Sequence, residues 1–104
     1  MASITVTELK SLIAEDQNLV LIDVRTESEI ADGIIPGALW MNVYDKSFMS
    51  KAAELPKDKT YCLYCASGGR TMMTMPFFEK SGFTRAFHLE GGITAWLKAG
   101  GEIA

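Results

Sequence analysis

The sequence of 104 residues is poor in metal-binding and cross-linking side chains: one histidine, His88, and two cysteines, Cys62 and Cys65. With no second cysteine pair and a single histidine there is no ligand set for a zinc site. Two cysteines are too few for a disulfide scaffold and fit a reducing compartment, where a reactive thiol has to be explained by chemistry. Positive charge is not in excess either. Ten lysines and arginines against thirteen acidic residues give a net charge of -3, and the basic residues are scattered. Neither nucleic acid nor an anionic membrane surface is therefore expected as a partner. No apolar run approaches the ~20 residues of a membrane span. The first residues, Met1-Ala2-Ser3-Ile4, lack the basic and apolar regions of a secretory leader, and a cytoplasmic location is expected. Repeats, linkers and low-complexity segments are missing too, so residues 1–104 read as one domain, which at this length buries somewhat more than ~60% of its unfolded surface without a staple.

What is present is an alternation of apolar runs and helical patterns. Leu19-Val20-Leu21-Ile22-Asp23-Val24 is an almost unbroken aliphatic run, the pattern of a parallel strand covered on both faces. Residues 60–64 and 84–89 read as further strands, and residues 4–6 and 39–43 as shorter ones. Thr7 reads as the N-cap of a helix over 8–14, with Leu9, Leu12 and Ile13 at helical spacing. Thr26 and Glu29 form a capping box for a short helix that Gly33 ends. A loosely helical segment over 46–55 closes at Pro56. The spacing predicts a helix over 69–80, with a kink at Pro76, which removes the bond to the carbonyl of Met72. A last helix over 93–98 stops at Gly100-Gly101. Strands alternating with helices argue for an α/β fold with a mainly parallel sheet, whose sites lie at the carboxyl ends of the strands.

The stretch Cys65-Ala66-Ser67-Gly68-Gly69-Arg70-Thr71 falls at that edge, between a strand and a helix. A cysteine there meets two influences that make a thiol acidic, a helix N-terminus and an arginine. The glycines let successive backbone N–H groups turn inward as an anion-binding concavity. Arg70 either faces the bound anion or ties the loop to the sheet, and Ser67 and Thr71 offer hydroxyl donors. Set against this, a free cysteine is most often a small buried hydrophobe; the strand before Cys65, the glycines and arginine after it and the helix beyond favour a functional thiol. Cys62 makes a formal Cys-x-x-Cys with Cys65, but it lies within the apolar run and reads as core.

Elsewhere, Asp23 and Arg25 read as supports of the fold in preference to catalysis. Trp40, Phe83, Phe87 and Trp96 read as core, and Met72, Met73 and Met75 as packing that adapts to the kink, with one thioether available to the pocket. His88 reads as a strand residue, not a base, and Phe48 and Met49 as walls of the entrance.

Three motifs occur in order: Asp23-Val24-Arg25 with Glu29 and Gly33-Ile34-Ile35-Pro36-Gly37-Ala38; the loop from Cys65 to Arg70; and Glu90-Gly91-Gly92-Ile93-Thr94-Ala95-Trp96 with Gly100. Over nearly its whole length the chain resembles the rhodanese sulfurtransferase family in its single-domain form. The resemblance implies a three-layer α/β fold, a central, mainly parallel five-stranded sheet flanked by helices. It implies that Cys65 takes sulfane sulfur from a small donor (thiosulfate, a polysulfide or a persulfide), becomes a persulfide, and passes the outer sulfur to an acceptor. The acceptor would be a thiol, cyanide, or a protein such as a thioredoxin. Such a relay splits one hard step into two easier ones. The N–H groups of Ala66, Ser67, Gly68, Gly69 and Arg70 would hold the outer sulfur, without a metal or cofactor.

Phosphatases and arsenate reductases share the family's fold but carry one residue more between cysteine and arginine, and the tighter bowl here suits sulfur. No acidic residue within the loop is placed to protonate a leaving alcohol. A non-catalytic binding module is the alternative from another class; its usual mark is loss of the cysteine, which is retained here. The sequence departs from the family at Ile34, where histidine is usual, and at Ala66 and Ser67, where thiosulfate users often carry a basic residue. The second departure leaves the donor open toward less charged polysulfides or organic persulfides.

Overall fold

The computed structural model describes residues 2–104. In chain order the elements are β1 (Ser3–Ile4), α1 (Val6–Glu15), β2 (Leu19–Asp23), α2 (Glu27–Ile30), β3 (Leu39–Trp40), α3 (Phe48–Ala53), β4 (Thr60–Tyr64), α4 (Gly69–Lys80), β5 (Arg85–Leu89) and α5 (Gly92–Lys98). The strands form one sheet in the order β1-β5-β4-β2-β3, every neighbouring pair parallel. This is the expected five-stranded α/β architecture.

Strand β4 is central, and all five of its residues are buried, as its apolar sequence requires of a strand covered on both faces. Alternation divides its side chains. Cys62 and Tyr64 join Leu9, Leu21, Leu89, Ile93 and Trp96 in the core beneath α1 and α5. Tyr61, Leu63 and Cys65 join Ile22, Phe48, Phe78 and Phe83 in the core beneath α3 and α4. Cys65 thus falls on the α4 face by the period of two, the first fact that positions the site. The chain leaves β2 toward β3 on one side and β4 toward β5 on the other, so the gap between the ends of β2 and β4 is the topological switch point, where ligands of open parallel sheets bind.

Several local expectations shift. Helix α1 begins earlier than the pattern suggested: Thr5, not Thr7, is its N-cap, with the Thr5 hydroxyl accepting from Glu8 N–H and the Glu8 carboxylate accepting from Thr5 N–H. That capping box consumes the residues expected to extend β1. Strand β3 holds two residues where five were expected. Past it, Asn42 turns the backbone by accepting the N–H of Tyr44 on its side chain (3.0 Å). Trp40 is 40% exposed, not core, and its indole N–H donates to the carbonyl of Arg25 (2.8 Å). Phe87 is half-buried, whereas Phe83 and Trp96 are buried. Helix α4 runs from Gly69 through an exposed Pro76 to Lys80. Among the described residues no helix is long and apolar enough to cross a membrane.

Candidate active site

Cys65 leaves the end of β4 and its side chain passes under the first turn of α4. Gly68 caps that helix with φ of +112°, a left-handed conformation that a residue with a Cβ adopts only under strain. The turn aims backbone donors back at the sulfur: the Gly68 N–H donates to Sγ of Cys65 (3.1 Å), and the Thr71 hydroxyl lies 3.9 Å from it. The thiol is 1% exposed. Burial by itself pushes its pKa up, but hydrogen bonds from the N–H groups of Thr71, Gly68 and Arg70 outweigh burial and hold it below the ordinary thiol value. Cys62, in the opposite core, is pushed up to about 12 by burial alone. The two thiols of the Cys-x-x-Cys lie on opposite faces of one strand.

The loop is clamped from two sides. On one side the first turn of α5 docks on it, with Ile93 N–H donating to the carbonyl of Cys65 (2.9 Å) and Thr94 N–H to that of Ala66 (3.1 Å). The approach is possible because residue 92 is glycine: its φ is +56°, and a Cβ there would overlap the carbonyl oxygens of both Cys65 and Ala66. Nothing in the sequence pointed to this contact beyond the doubled glycine of Glu90-Gly91-Gly92.

On the other side stands Arg70. Its charge acts on Cys65, but its side-chain hydrogen bonds reach neither the thiol nor the sheet. Its Nη1 and Nη2 donate to Oε1 and Oε2 of Glu29, at 2.7 and 2.8 Å, a bidentate pair with α2. Hydrogen bonding to Arg70 holds the Glu29 carboxyl down at about 2, and the same pair raises Arg70. Glu29 also closes the capping box of α2, accepting the N–H and hydroxyl of Thr26 on Oε1 (3.1 and 3.0 Å). The sequence showed the cap but not the second partner.

Asp23 and Arg25 lie beneath this arrangement. Arg25 Nη2 donates to Asp23 Oδ2 (2.8 Å) and to the carbonyl of Gly33 (2.7 Å), and Nη1 reaches the carbonyl of Glu29 (3.4 Å). The buried pair therefore fixes the turn that carries Glu29 and, through Glu29, Arg70. On β4 the Tyr64 hydroxyl accepts the N–H of Ile35 (3.0 Å), tying the central strand to the same turn. Thr71 is buried, and its hydroxyl donates to the carbonyl of Gly68 (3.0 Å) and lies 3.2 Å from Nδ1 of His88. Burial pushes the His88 imidazole below its usual range, toward the neutral form, against the pull of Glu90. Ser67 and Gly69 are exposed, and Ala66 is half-buried.

Beside Arg70 opens a groove of about 440 Å³ walled by Tyr44, Phe48, Met49, Met73 and Phe77. The two residues expected at an entrance, Phe48 and Met49, line it, and the methionine of α4 that reaches it is Met73; Met75 is buried in the core. A second groove, at Lys10, Ile13, Trp96 and Glu102, lies on the α1/α5 face, away from the thiol. Among the described residues no group of three or more His, Cys, Asp or Glu side chains is placed to hold a metal ion.

The Rhodanese-like domain model matches residues 5–99. A protein named sulfurtransferase from Allochromatium vinosum is 35% identical over 92 residues, 88% of this chain and 84% of that protein. The putative sulfurtransferase YtwF of Bacillus subtilis is 39% identical over 93 residues, covering 89% of this chain and 87% of its own. Among solved structures, that of a rhodanese-related protein from Thermoplasma volcanium superposes with a TM-score of 0.88 at 26% identity, covering 100% of this chain and 98% of that one.

Proposed function

This chain belongs to the rhodanese-like domain family, and we propose that it is a sulfurtransferase whose sulfur carrier is Cys65. One observation carries the reading: a buried thiol at the mouth of α4, accepting the Gly68 N–H on its sulfur, with four residues between it and Arg70. In the first half-reaction the Cys65 thiolate attacks the sulfane sulfur of the donor. The new Sγ–S bond forms as the donor's S–S or C–S bond to that sulfur breaks, and the leaving group departs with the electron pair. In the second half-reaction a thiolate or cyanide acceptor attacks the outer sulfur and returns Cys65 to the thiolate. Sulfur moves at one oxidation level, so the cycle calls on no external oxidant.

The residues divide the work. The backbone donors of Gly68, Arg70 and Thr71 meet negative charge on Sγ before transfer and are placed to meet it on the persulfide after. Gly92 and the first turn of α5 hold the carbonyls of Cys65 and Ala66 outward, so that the N–H groups face in. Asp23 and Arg25 are positioning residues for the turn that carries Glu29. The donor is a small sulfane compound and the acceptor a small thiol, cyanide or a sulfur-accepting protein, and the reaction is placed in the cytoplasm.

The test is intact mass after incubation of the full chain with thiosulfate, inorganic polysulfide and an organic persulfide. A gain of one sulfur that is lost on adding cyanide, and is absent in Cys65→Ser, is the expected result. No adduct from any donor, together with turnover of an aryl phosphate, would replace the reading with a phosphatase one.

A further inference from the structure

Resting on the sulfur-transfer reading, we infer that Glu29 and the apolar groove beside Arg70 select as donor a low-molecular-weight organic persulfide with an apolar carrier, R–S–SH, over a small dianion such as thiosulfate. Arg70 is the sole cation of the loop 65–71. Both of its terminal nitrogens are committed to Glu29, at 2.7 and 2.8 Å, in the fork geometry that makes arginine–carboxylate pairs strong. The two side chains are 23% and 31% exposed, so that solvent screens the carboxylate only in part from an incoming anion.

Glu29 is not free to swing aside. Its Oε1 accepts both polar hydrogens of Thr26, and its own carbonyl accepts from Arg25. Leaving Arg70 would break the cap of α2. The nearest other cation on this turn, Arg25, is held by Asp23 and the carbonyl of Gly33. A dianion at the mouth would meet an arginine whose charge is largely offset by a carboxylate fixed in place, so that beyond the residual pull of Arg70, which Cys65 also feels, only the backbone donors at the end of α4 would hold it.

The groove offers the opposite chemistry. Its walls are aromatic and thioether side chains, and Tyr44, Met49 and Met73 stand 68%, 60% and 84% exposed around it. Arg70 lines the groove and its backbone N–H is one of the donors to the Cys65 sulfur, so the groove opens beside the loop that holds the thiol. At about 440 Å³ it falls in the range of small-molecule sites, ~300–1,000 Å³. Methionine sulfurs are soft and polarisable and suit a sulfur-bearing carrier. With R seated there, the Cys65 thiolate attacks the outer sulfur. The Sγ–S bond forms, the RS–S bond breaks, and RS⁻ leaves with the electron pair and takes a proton from water.

The experiment compares the rate constant for loading sulfur on Cys65 from benzyl persulfide and from thiosulfate, in the full chain, for the wild type, Glu29→Gln and Met73→Asp. Glutamine keeps the α2 cap while removing the charge. Glu29→Gln is expected to raise the ratio of the thiosulfate to the benzyl persulfide rate constant about tenfold, the scale of one charge-assisted contact regained. Met73→Asp is expected to lower the benzyl persulfide rate constant several-fold. A thiosulfate to benzyl persulfide ratio unmoved by Glu29→Gln, or a benzyl persulfide rate unmoved by Met73→Asp, overturns the inference. If Glu29→Gln does not fold, judged by circular dichroism, Glu29→Asp draws the carboxylate back from Arg70 and must still raise the thiosulfate to benzyl persulfide ratio. Absence of loading from either donor in every variant is a different result, and it removes the sulfur-transfer reading itself.

Discussion

The backbone N–H of Gly68 donates to Sγ of Cys65 across 3.1 Å, joining the helix cap to the thiol. The bond exists because Gly68 takes a left-handed conformation, which turns the following N–H groups of α4 back toward the end of β4. One residue thus starts the helix and supplies a donor to the anion at its mouth. The remaining donors to the sulfur, the N–H groups of Arg70 and Thr71, follow from the helical geometry that Gly68 begins.

The first prediction follows from the sign of that interaction. The folded state favours the Cys65 thiolate, so its alkylation rate in the native protein should rise with pH through a midpoint below the ordinary thiol value. In urea the midpoint should return to the ordinary value. Cys62, 0% exposed and pushed up to about 12, should remain unmodified in the native state at every pH where the fold persists. Rates by mass spectrometry of the modified peptides, across pH, read both; a Cys65 midpoint at or above that of the unfolded chain contradicts the loop's role.

The second concerns Gly92. Alanine there must adopt φ near +56° and place its Cβ within the carbonyl oxygens of Cys65 and Ala66. The strain and overlap together should cost about 2–4 kcal/mol, read as a lower urea midpoint at unchanged slope. Gly69→Ala is the contrast. No atom lies within 4 Å of a Cβ built at Gly69 and its φ is not positive, so its stability should stay within about 0.5 kcal/mol of the parent. Equal losses at the two positions would show that the contact of α5 with the loop is not what requires glycine.

The third is a dependence on pH. The folded-state pKa of Glu29 is depressed from 4.5 to about 2 by Arg70. A depressed carboxylate contributes stability that is complete above its unfolded value and is lost as pH falls through its folded value. The contribution of the Glu29–Arg70 pair should therefore be constant at neutral pH, begin to fall below about 4.5 and be gone under about 2. Hydrogen bonds also depress Asp16 and Asp45, so the measurement is the difference between wild type and Glu29→Gln in unfolding free energy across that range. A difference that does not shrink toward acid would mean the ion pair contributes nothing to the folded state.

The sequence was read most easily where information is local. The apolar runs at residues 19–24 and 60–64 located both central strands, because a strand buried on both faces needs no partner to be recognised. Helix α4, with its glycines before and Ser81-Gly82 after, was equally plain. The weaker elements failed where a side chain competes with the backbone. Thr5 took the cap expected of Thr7, and Asn42 turned the chain where a strand was expected to continue. Trp40 reads as core, whereas a single bond from its indole to the Arg25 carbonyl holds it half in solvent.

By itself the sequence carried three ordered motifs that resemble one family, while its periodicity and glycine positions determined the parallel α/β sheet and the placing of Cys65 between a strand and a helix. Only the tertiary structure decided what surrounds the thiol. It put Cys65 on the α4 face and Cys62 on the other, set Gly92 against the loop, and brought Glu29 across 41 positions of sequence to Arg70. Those are relations between segments distant along the chain. No local pattern encodes them, because they arise from how parallel strands β2 and β4 bring their carboxyl ends side by side.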